Sequence, residues 1–185
     1  MRTFIAIDIS DEIRDALRQI QSHLKYAGAD VKWVEPQNIH LTLKFLGEID
    51  EKKAEEVKSV LDAIGKGFGA FDITIKDIGA FPKIEFPRVV WVGLDKGAEE
   101  SKRLAQSVEE GLSKIGFQKE ERPFAAHLTV GRVKSLLNKD KLKAKIKDCQ
   151  PPTGSPHRIS SVILFQSKLT PNGPIYTKLY EAKLS

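Results

Sequence analysis

The sequence predicts a fold of mixed helices and strands built from two similar halves, and three observations support this prediction. A stretch that begins at Pro36 recurs at Pro123, with proline, three residues and then a His-Leu-Thr-aliphatic tetrad in both copies. The two tetrad histidines, His40 and His127, are separated by a constant offset (127 − 40 = 87). Helical and β-rich patterns alternate along the chain, and each half contains strands and two predicted helices. A duplicated unit accounts for all three observations.

Length and composition set the class of protein. The chain has 185 residues, of which 41% are hydrophobic and 30% charged, which is typical of a soluble globular protein. The apolar run over residues 3–9 is short and interrupted by Asp8, so it fits neither a signal peptide nor a membrane span. We therefore expect a cytoplasmic protein with no membrane partner.

Cysteine, histidine and net charge narrow the possible chemistry. Cys149 is the single cysteine, which excludes an internal disulfide and a cysteine zinc site. The four histidines show no His-Glu-x-x-His spacing, so the sequence predicts no metal and no cofactor. The net charge of +5 permits an anionic partner such as RNA but does not require one.

The first half is predicted to contain two capped amphipathic helices. Ser10 precedes two acidic residues and an apolar pattern that ends near Gly28, as expected of an N-cap and a C-terminal glycine. Asp50 begins a second helix, with Gly65 just beyond its end. The strands of this half are expected at residues 3–9, 31–34, 39–46 and 70–80.

The second half is predicted to repeat this arrangement of elements. Pro82 and Pro87 bracket an expected loop, and a helix over residues 98–115 stops at Gly116. A short lysine-rich helix is expected over 138–147, followed by a linker over 150–156. The strands of this half are expected at residues 89–94, 125–133, 159–169 and 175–183, the last two forming a hairpin.

The doubled tetrad places two pairs of polar side chains on strand faces. Residues i and i+2 of a strand share a face, so His40 and Thr42 point away from the core that their aliphatic neighbours need. His127 and Thr129 do the same. One such tetrad is commonly incidental, whereas two copies with matching prolines favour convergence on one ligand.

Two imidazoles and two hydroxyls suit an in-line displacement at phosphorus. Histidine has an unperturbed pKa of about 6.5, which lets one ring act as a base and another as an acid near neutrality. The threonine hydroxyls can donate to the non-bridging phosphate oxygens, where charge builds in the transition state. Such a site needs no metal.

The chain resembles the two-histidine (2H) phosphoesterase superfamily, and within it the RNA 2′,3′-cyclic phosphodiesterases, also called 2′-5′ RNA ligases, of bacteria and archaea. The resemblance rests on both tetrads and extends over nearly the whole chain. It includes Val-Lys-Trp-Val at 31–34, Lys-Phe-Leu-Gly after the first tetrad and Gly-Arg after the second. It also covers the segments at residues 2–7, 90–94 and 165–167.

The resemblance implies an α+β fold of two pseudo-symmetric lobes, each an antiparallel sheet with helices on its outer face, around a central cleft. The lobes would be intertwined in a single domain over residues 1–185, with motifs at 40–43 and 127–130. It further implies a monomer that hydrolyses RNA 2′,3′-cyclic phosphate ends to 2′-phosphate ends without a metal. His127 would be the general base and His40 the general acid, while Thr42 and Thr129 would hold the phosphate.

Three further residues are candidates for substrate contact. Arg132 matches the basic residue after the family's second tetrad; regular alternation places it opposite His127, and a bulge at Gly131 could turn it inward. Lys44 has the parity of His40, which favours the cleft, and the alternative is a solvated lysine. Phe45 could stack on a base, although its parity favours burial. The other aromatic candidates for stacking are Trp33, Trp91 and Tyr176.

Three alternative functions remain open from the sequence. The same two histidines could run the reaction backwards and join RNA ends as a 2′-5′ ligase, or act on a small cyclic nucleotide. A non-catalytic protein that binds RNA ends would bind the substrate and release no product. A purely structural module leaves the paired polar faces unexplained.

Overall fold

The computed structural model describes residues 1–152 and 154–185. These residues form four α-helices: α1 (Asp11–Lys25), α2 (Glu51–Gly67), α3 (Ala98–Ser113) and α4 (Lys139–Asp148). They also form ten strands: β1 (Arg2–Ile7), β2 (Val31–Trp33), β3 (Leu41–Glu48), β4 (Phe71–Ile73), β5 (Ile75–Lys83), β6 (Phe86–Leu94), β7 (His127–Val133), β8 (His157–Ile159), β9 (Ser161–Thr170) and β10 (Gly173–Lys183).

Two four-stranded antiparallel sheets carry one tetrad each. The first sheet has the order β10-β9-β1-β3 and the second the order β2-β7-β6-β5. A small β4-β8 pair completes the strands. The first tetrad lies at the start of an edge strand, β3, and the second lies in an interior strand, β7. The expected α+β class with two antiparallel sheets is confirmed.

Side-chain caps begin the two helices of the first half. The Ser10 hydroxyl accepts a hydrogen bond from the Ile13 amide, and the Asp50 carboxylate accepts one from the Lys53 amide. Each cap satisfies an amide that the first helical turn leaves without an intrahelical partner. Both predicted N-caps are therefore confirmed.

The helices cover one face of each sheet and leave the other face free. Helices α2 and α3 pack on β9, β10 and β3 of the first sheet, and α4 packs on β5 of the second. Helix α1 packs on α4 and is tied to the second sheet by Gln21, whose amide donates to the carbonyls of Val34 and Val130. A continuous apolar core, which includes Leu41 and Leu128, lies between helices and sheets. The opposite faces of both sheets are free to form a cleft.

The elements of the two sheets do not follow one another in separate blocks along the chain. Strand β1 pairs with β3 on one side and with β9, far along the sequence, on the other. Helix α1 follows β1 of the first sheet but is hydrogen-bonded through Gln21 to Val130 of the second. Helix α3 follows β6 of the second sheet but packs on β3 of the first. Each sheet thus combines segments from both halves of the chain, and the first sheet contains the strands nearest both ends. No helix within the described residues is long and apolar enough to cross a membrane.

Several predicted boundaries differ from the observed ones. The prediction of a loop between Pro82 and Pro87 is wrong, because both prolines lie in strands of the β5–β6 hairpin and are paired with each other. Helix α2 continues through Gly65 to Gly67, where the sequence suggested an earlier end. The single strand expected over 70–80 is two strands, β4 and β5, that belong to different sheets. In the linker expected at 150–156, Thr153 lies outside the described residues.

Candidate active site

An aromatic cluster forms the free face of the first sheet. Phe4 and Phe165 stack with their ring centroids 5.2 Å apart, and the edge of Tyr176 meets the Phe4 ring at 5.0 Å. These rings come from β1, β9 and β10, so three strands build one apolar wall. The His40 ring lies 4.6 Å from Phe165 and 5.6 Å from Tyr176. The wall therefore fixes the first histidine by packing.

His40 and His127 are each held by a hydrogen bond of the same kind. The His40 Nδ1 atom lies 3.0 Å from the carbonyl oxygen of Asn38, and the His127 Nδ1 atom lies 2.7 Å from that of Ala125. In each case the carbonyl belongs to the residue two positions earlier. Because a carbonyl oxygen only accepts, Nδ1 carries the proton in both rings. Nε2 is therefore the nitrogen left to exchange protons with a ligand.

The two rings differ in burial. The His40 side chain is 7% exposed and its hydrogen bond to Asn38 is partly buried, whereas the hydrogen bond of His127 to Ala125 is exposed to solvent. The Phe81 ring of β5 meets the His127 ring edge-on at 5.1 Å and lies 5.3 Å from Trp91. Trp91 in turn lies across Gly79, where a Cβ atom would approach the indole within 2.4 Å. His127 thus lies beside two aromatic rings, those of Phe81 and Trp91, on the free face of the second sheet.

The threonines of both tetrads stand on the same free faces as their histidines. Thr42 is opposite Ala6 of β1, whose side chain belongs to the aromatic wall, and Thr129 is opposite Trp91 of β6. Both threonines are half-buried. The strand geometry therefore gives each free face one imidazole and one hydroxyl.

A β-bulge follows the threonine in both motif strands, at equivalent positions. In β3, Leu43 is skipped between the pairs Thr42–Ala6 and Lys44–Ile5. In β7, Val130 is skipped between the pairs that Thr129 and Gly131 make with β6. A bulge puts one extra residue into a strand and reverses the alternation beyond it. The residues that follow Leu43 and Val130 therefore point to the face opposite the one that regular alternation predicts.

The expectation that Lys44 faces the cleft is wrong, because the bulge turns its side chain towards the helices. Lys44 is only 4% exposed, and its Nζ atom donates to the Glu109 carboxylate of α3 at 2.7 Å and to the Gln118 carbonyl at 2.9 Å. The equivalent residue in β7 is Gly131, which is buried against Trp33 and has no room for a Cβ atom. Lys44 thus holds the first sheet to helix α3.

Phe45 and Arg132 occupy the next equivalent positions and are exposed on the free faces. Regular alternation favoured burial of Phe45, but the bulge breaks the alternation, and this candidate for base stacking is 64% exposed with its ring 6.1 Å from Phe4. The bulge that could turn Arg132 inward is present. Burial raises the pKa of Tyr176, and the positive charge of Arg132 opposes this rise. The first sheet meets the second where the two motif strands, β3 and β7, are in contact.

Asp8 lies beside His40 and was not identified from the sequence. Its carboxylate is 3.8 Å from His40 Nε2 and accepts hydrogen bonds from Arg14 at 2.6 Å and the Ile9 amide at 3.0 Å. Lys178 of β10 approaches the second oxygen at 3.2 Å. Burial would raise the pKa of Asp8, but Arg14 and Lys178 hold it below its usual value. The only sequence signal was an acidic residue inside an apolar strand segment.

The charge of Asp8 opposes the effect of burial on His40. Burial lowers the pKa of His40 below its usual value, the Asp8 carboxylate raises it, and Arg14 and Lys178 lower it further. Burial disfavours the charged ring, whereas a neighbouring carboxylate favours it. The network therefore sets the fraction of His40 that carries a second proton.

We expect the pKa of His40 to move in opposite directions in two variants. Asp8→Asn removes the carboxylate that favours the imidazolium, so the pKa of His40 should fall further. Lys178→Met removes a positive charge, so the pKa of His40 should rise. Ring-proton NMR titration measures both shifts. Shifts in the same direction in both variants would contradict this electrostatic account.

Comparison with known proteins assigns the family. The model of the LigT-like phosphoesterases matches the chain twice, over residues 7–91 and 92–176, with one tetrad in each match. A protein of Methanothermobacter thermautotrophicus, named RNA 2′,3′-cyclic phosphodiesterase, is 41% identical over 179 residues, covering 97% of this chain and 96% of the relative. One of the same name from Methanocaldococcus jannaschii is 38% identical, covering 98% of this chain and 99% of the relative.

Solved structures share the fold at full length. A crystal structure of a Thermus thermophilus protein superposes with a TM-score of 0.82 at 27% identity, covering 100% of this chain and 98% of that one. Escherichia coli LigT without ligand superposes with a TM-score of 0.78 at 26% identity, covering 100% and 97%. Family model, relatives and structures agree, and each half of the chain carries one copy of the motif. The chain belongs to the LigT-like phosphoesterase family.

Proposed function

We propose that the protein is an RNA 2′,3′-cyclic phosphodiesterase that opens the cyclic phosphate at an RNA end and leaves a 2′-phosphate. The observation that carries the proposal is the equivalent pair of imidazoles, each fixed through Nδ1 and each making no hydrogen bond through Nε2 within residues 1–152 and 154–185. Full-length relatives named for this activity support the choice of substrate. Because one chain supplies both histidines, a monomer suffices for the site.

The two histidines divide the proton transfers. His127 Nε2 takes a proton from water as the water oxygen bonds to phosphorus. The bond between phosphorus and the 3′ oxygen breaks, and His40 Nε2 gives a proton to that oxygen. The products are a 2′-phosphate and a 3′-hydroxyl, and the histidines exchange protonation states. Positioned acids and bases of this kind contribute roughly 10²–10⁴-fold each to a rate.

The charge beside His40 supports its assignment as the acid. An acid must hold its proton before the reaction, and the Asp8 carboxylate 3.8 Å from Nε2 favours the protonated ring. A bound phosphodiester is itself an anion and adds to this effect. Both oppose the burial that lowers the pKa of His40 in the free protein.

Thr42, Thr129 and Arg132 are proposed to hold the phosphate. The two hydroxyls stand beside the imidazoles on the free faces, and Arg132 follows the second tetrad past the bulge. A guanidinium and hydroxyl donors suit the charge that builds on the non-bridging oxygens. Phe45, exposed at the rim beside Phe4, is a candidate for stacking on the terminal base.

Product analysis with defined RNA ends tests the function. RNA with a 2′,3′-cyclic phosphate end is incubated with EDTA-treated protein, with and without a partner strand that carries a 5′-hydroxyl. We expect 2′-phosphate ends in both reactions, as measured by ³¹P NMR. Joined strands as the main product would indicate the ligase. Tight binding without product would indicate a non-catalytic end-binding protein, and activity only after Mg²⁺ or Zn²⁺ is added back would contradict metal independence.

A further inference from the structure

We propose that the tip of the β5–β6 hairpin, together with the start of α4, binds the RNA strand that leads up to the cyclic phosphate. The three residues of this surface, Lys83, Phe86 and Lys139, are called the tip cluster below. The inference rests on the proposed function, since it assumes that RNA occupies the cleft. It adds a second contact region, outside the reacting end, with single-stranded RNA as its ligand.

The tip cluster is an exposed aromatic ring with two cations over it. Phe86 is 53% exposed, and the Nζ atoms of Lys83 and Lys139 lie 5.2 and 4.5 Å from its ring centroid. The lysines come from different elements, the hairpin and helix α4, so the fold brings their charges together. Neither lysine has a carboxylate within 4 Å among residues 1–152 and 154–185.

Two ammonium groups without carboxylate partners favour a polyanion. The ring attracts each cation through its quadrupole and so holds both near one point in spite of their mutual repulsion. Phosphate groups of an RNA strand would relieve that repulsion and release condensed counterions. The neighbouring Lys143 differs, because it lies 3.6 Å from the Glu85 carboxylate at the hairpin turn. The tip cluster therefore holds two ammonium groups on one ring that no carboxylate of the described residues pairs.

The hairpin connects the tip cluster to the candidate active site. Along the second sheet, Arg132 is opposite Val89, and Val89 is opposite Phe81. Phe81 touches the His127 ring, and two residues further along β5 the strand reaches Lys83 of the tip. An RNA strand whose end phosphate lies at Arg132 and His127 would therefore pass Phe81 before it reaches the two lysines of the tip cluster. Alternating basic and aromatic groups are typical of single-strand binding surfaces.

The length dependence of the KM value tests this surface. The double variant Lys83→Glu/Lys139→Glu is compared with the native protein on a 2′,3′-cyclic mononucleotide and on RNA of about ten nucleotides with the same end. We expect the KM value for the longer RNA to rise roughly tenfold at 0.1 M salt. The kcat for both substrates and the KM value for the mononucleotide should stay unchanged. Phe86→Leu keeps an apolar side chain and should give a smaller rise.

Salt dependence gives a second readout. Each phosphate contact to a single strand contributes about 0.7 to the slope of log affinity against log salt, so the double variant should lose about 1.4. Lys141→Glu with Lys145→Glu is the matched control, because it makes the same charge change on the opposite face of α4, where Lys145 lies over Tyr26, and should leave the slope unchanged. An equal loss of affinity in this control would show a general charge effect and overturn the proposal.

Binding can be separated from the proposed reaction. Fluorescence anisotropy with labelled RNA that ends in a 3′-phosphate measures affinity even if the protein hydrolyses no cyclic phosphate. Weaker binding by the double variant alone supports the tip cluster whatever the outcome of the product analysis. Unchanged binding, or an equal loss of activity on the mononucleotide, would overturn it. Unfolding midpoints equal to that of the native protein establish that the variants are folded.

Discussion

His127→Ala and His40→Ala are each expected to reduce kcat/KM for cyclic-phosphate RNA by roughly 10²–10⁴-fold. Each variant removes a ring whose Nε2 exchanges a proton with the reacting oxygens, and alanine cannot replace that exchange. The fold should persist, because among residues 1–152 and 154–185 each ring makes a single hydrogen bond, to a carbonyl two residues away. Single-turnover kinetics with RNA of defined end measures the loss.

Two comparisons sharpen this test. The double variant should be far less impaired than the product of the single losses, because the two rings act on one transition state and their effects are not additive. His23→Ala, on helix α1 and outside both motifs, is the matched control and should retain native activity. Hydrolysis by the double variant at more than about a tenth of the native rate would contradict the two-histidine mechanism.

Glu109→Ala is expected to lower the free energy of unfolding by about 2–4 kcal/mol, the largest effect on stability that we predict. Lys44 is buried, with its Nζ atom 2.7 Å from Glu109, so the variant leaves a buried cation without its main partner. The Gln118 carbonyl and the exposed Glu120, 3.8 Å away, offset part of this loss. Urea unfolding measures the difference in free energy.

Removing both partners separates a buried charge from a lost contact. Lys44→Met combined with Glu109→Leu should recover most of the stability, since apolar residues of similar size commonly replace a buried ion pair at little cost. The same double variant should keep its KM value for RNA, because Lys44 points away from the cleft. A double variant as unstable as Glu109→Ala, or a raised KM value, would contradict this role.

Local rules predicted the helices and the faces of the tetrads. Ser10 and Asp50 cap their helices because a short polar side chain satisfies an amide three residues later, which depends only on neighbouring sequence. The alternation within a strand likewise placed Thr42 and Thr129 beside their histidines. Both rules act over a few residues, and no distant contact overrides them here.

The bulges limited what alternation could predict. Skipping Leu43 reversed the faces of Lys44 and Phe45, and skipping Val130 brought Arg132 to the free face. A bulge depends on how the partner strand pairs, which the strand's own sequence does not state. The glycine after Val130 was a signal for one bulge, and no glycine marks the other. A bulge in β3 like the one that Gly131 suggested in β7 predicts the observed faces of Lys44 and Phe45.

Long-range packing explains the residues that were missed. Asp8 meets Arg14 of the adjacent helix α1, while the sheet order β10-β9-β1-β3 brings His40 and Lys178 to it from distant parts of the sequence. Lys83 and Lys139 converge on Phe86 in the same way, from a hairpin and a helix. Such constellations have no spacing signature in one sequence. They became visible only with the fold.

The exchange of elements between the lobes has a consequence for how the protein is made. The wall beside His40 combines Phe4, near the beginning of the chain, with Phe165 and Tyr176, near its end. During translation β1 emerges early but must wait for β9, its second neighbour, until most of the chain has been synthesised. The side of the candidate site that holds His40 is therefore completed last. A ribosome that stalls before residue 161 would hold a chain with both histidines and no finished pocket for the first.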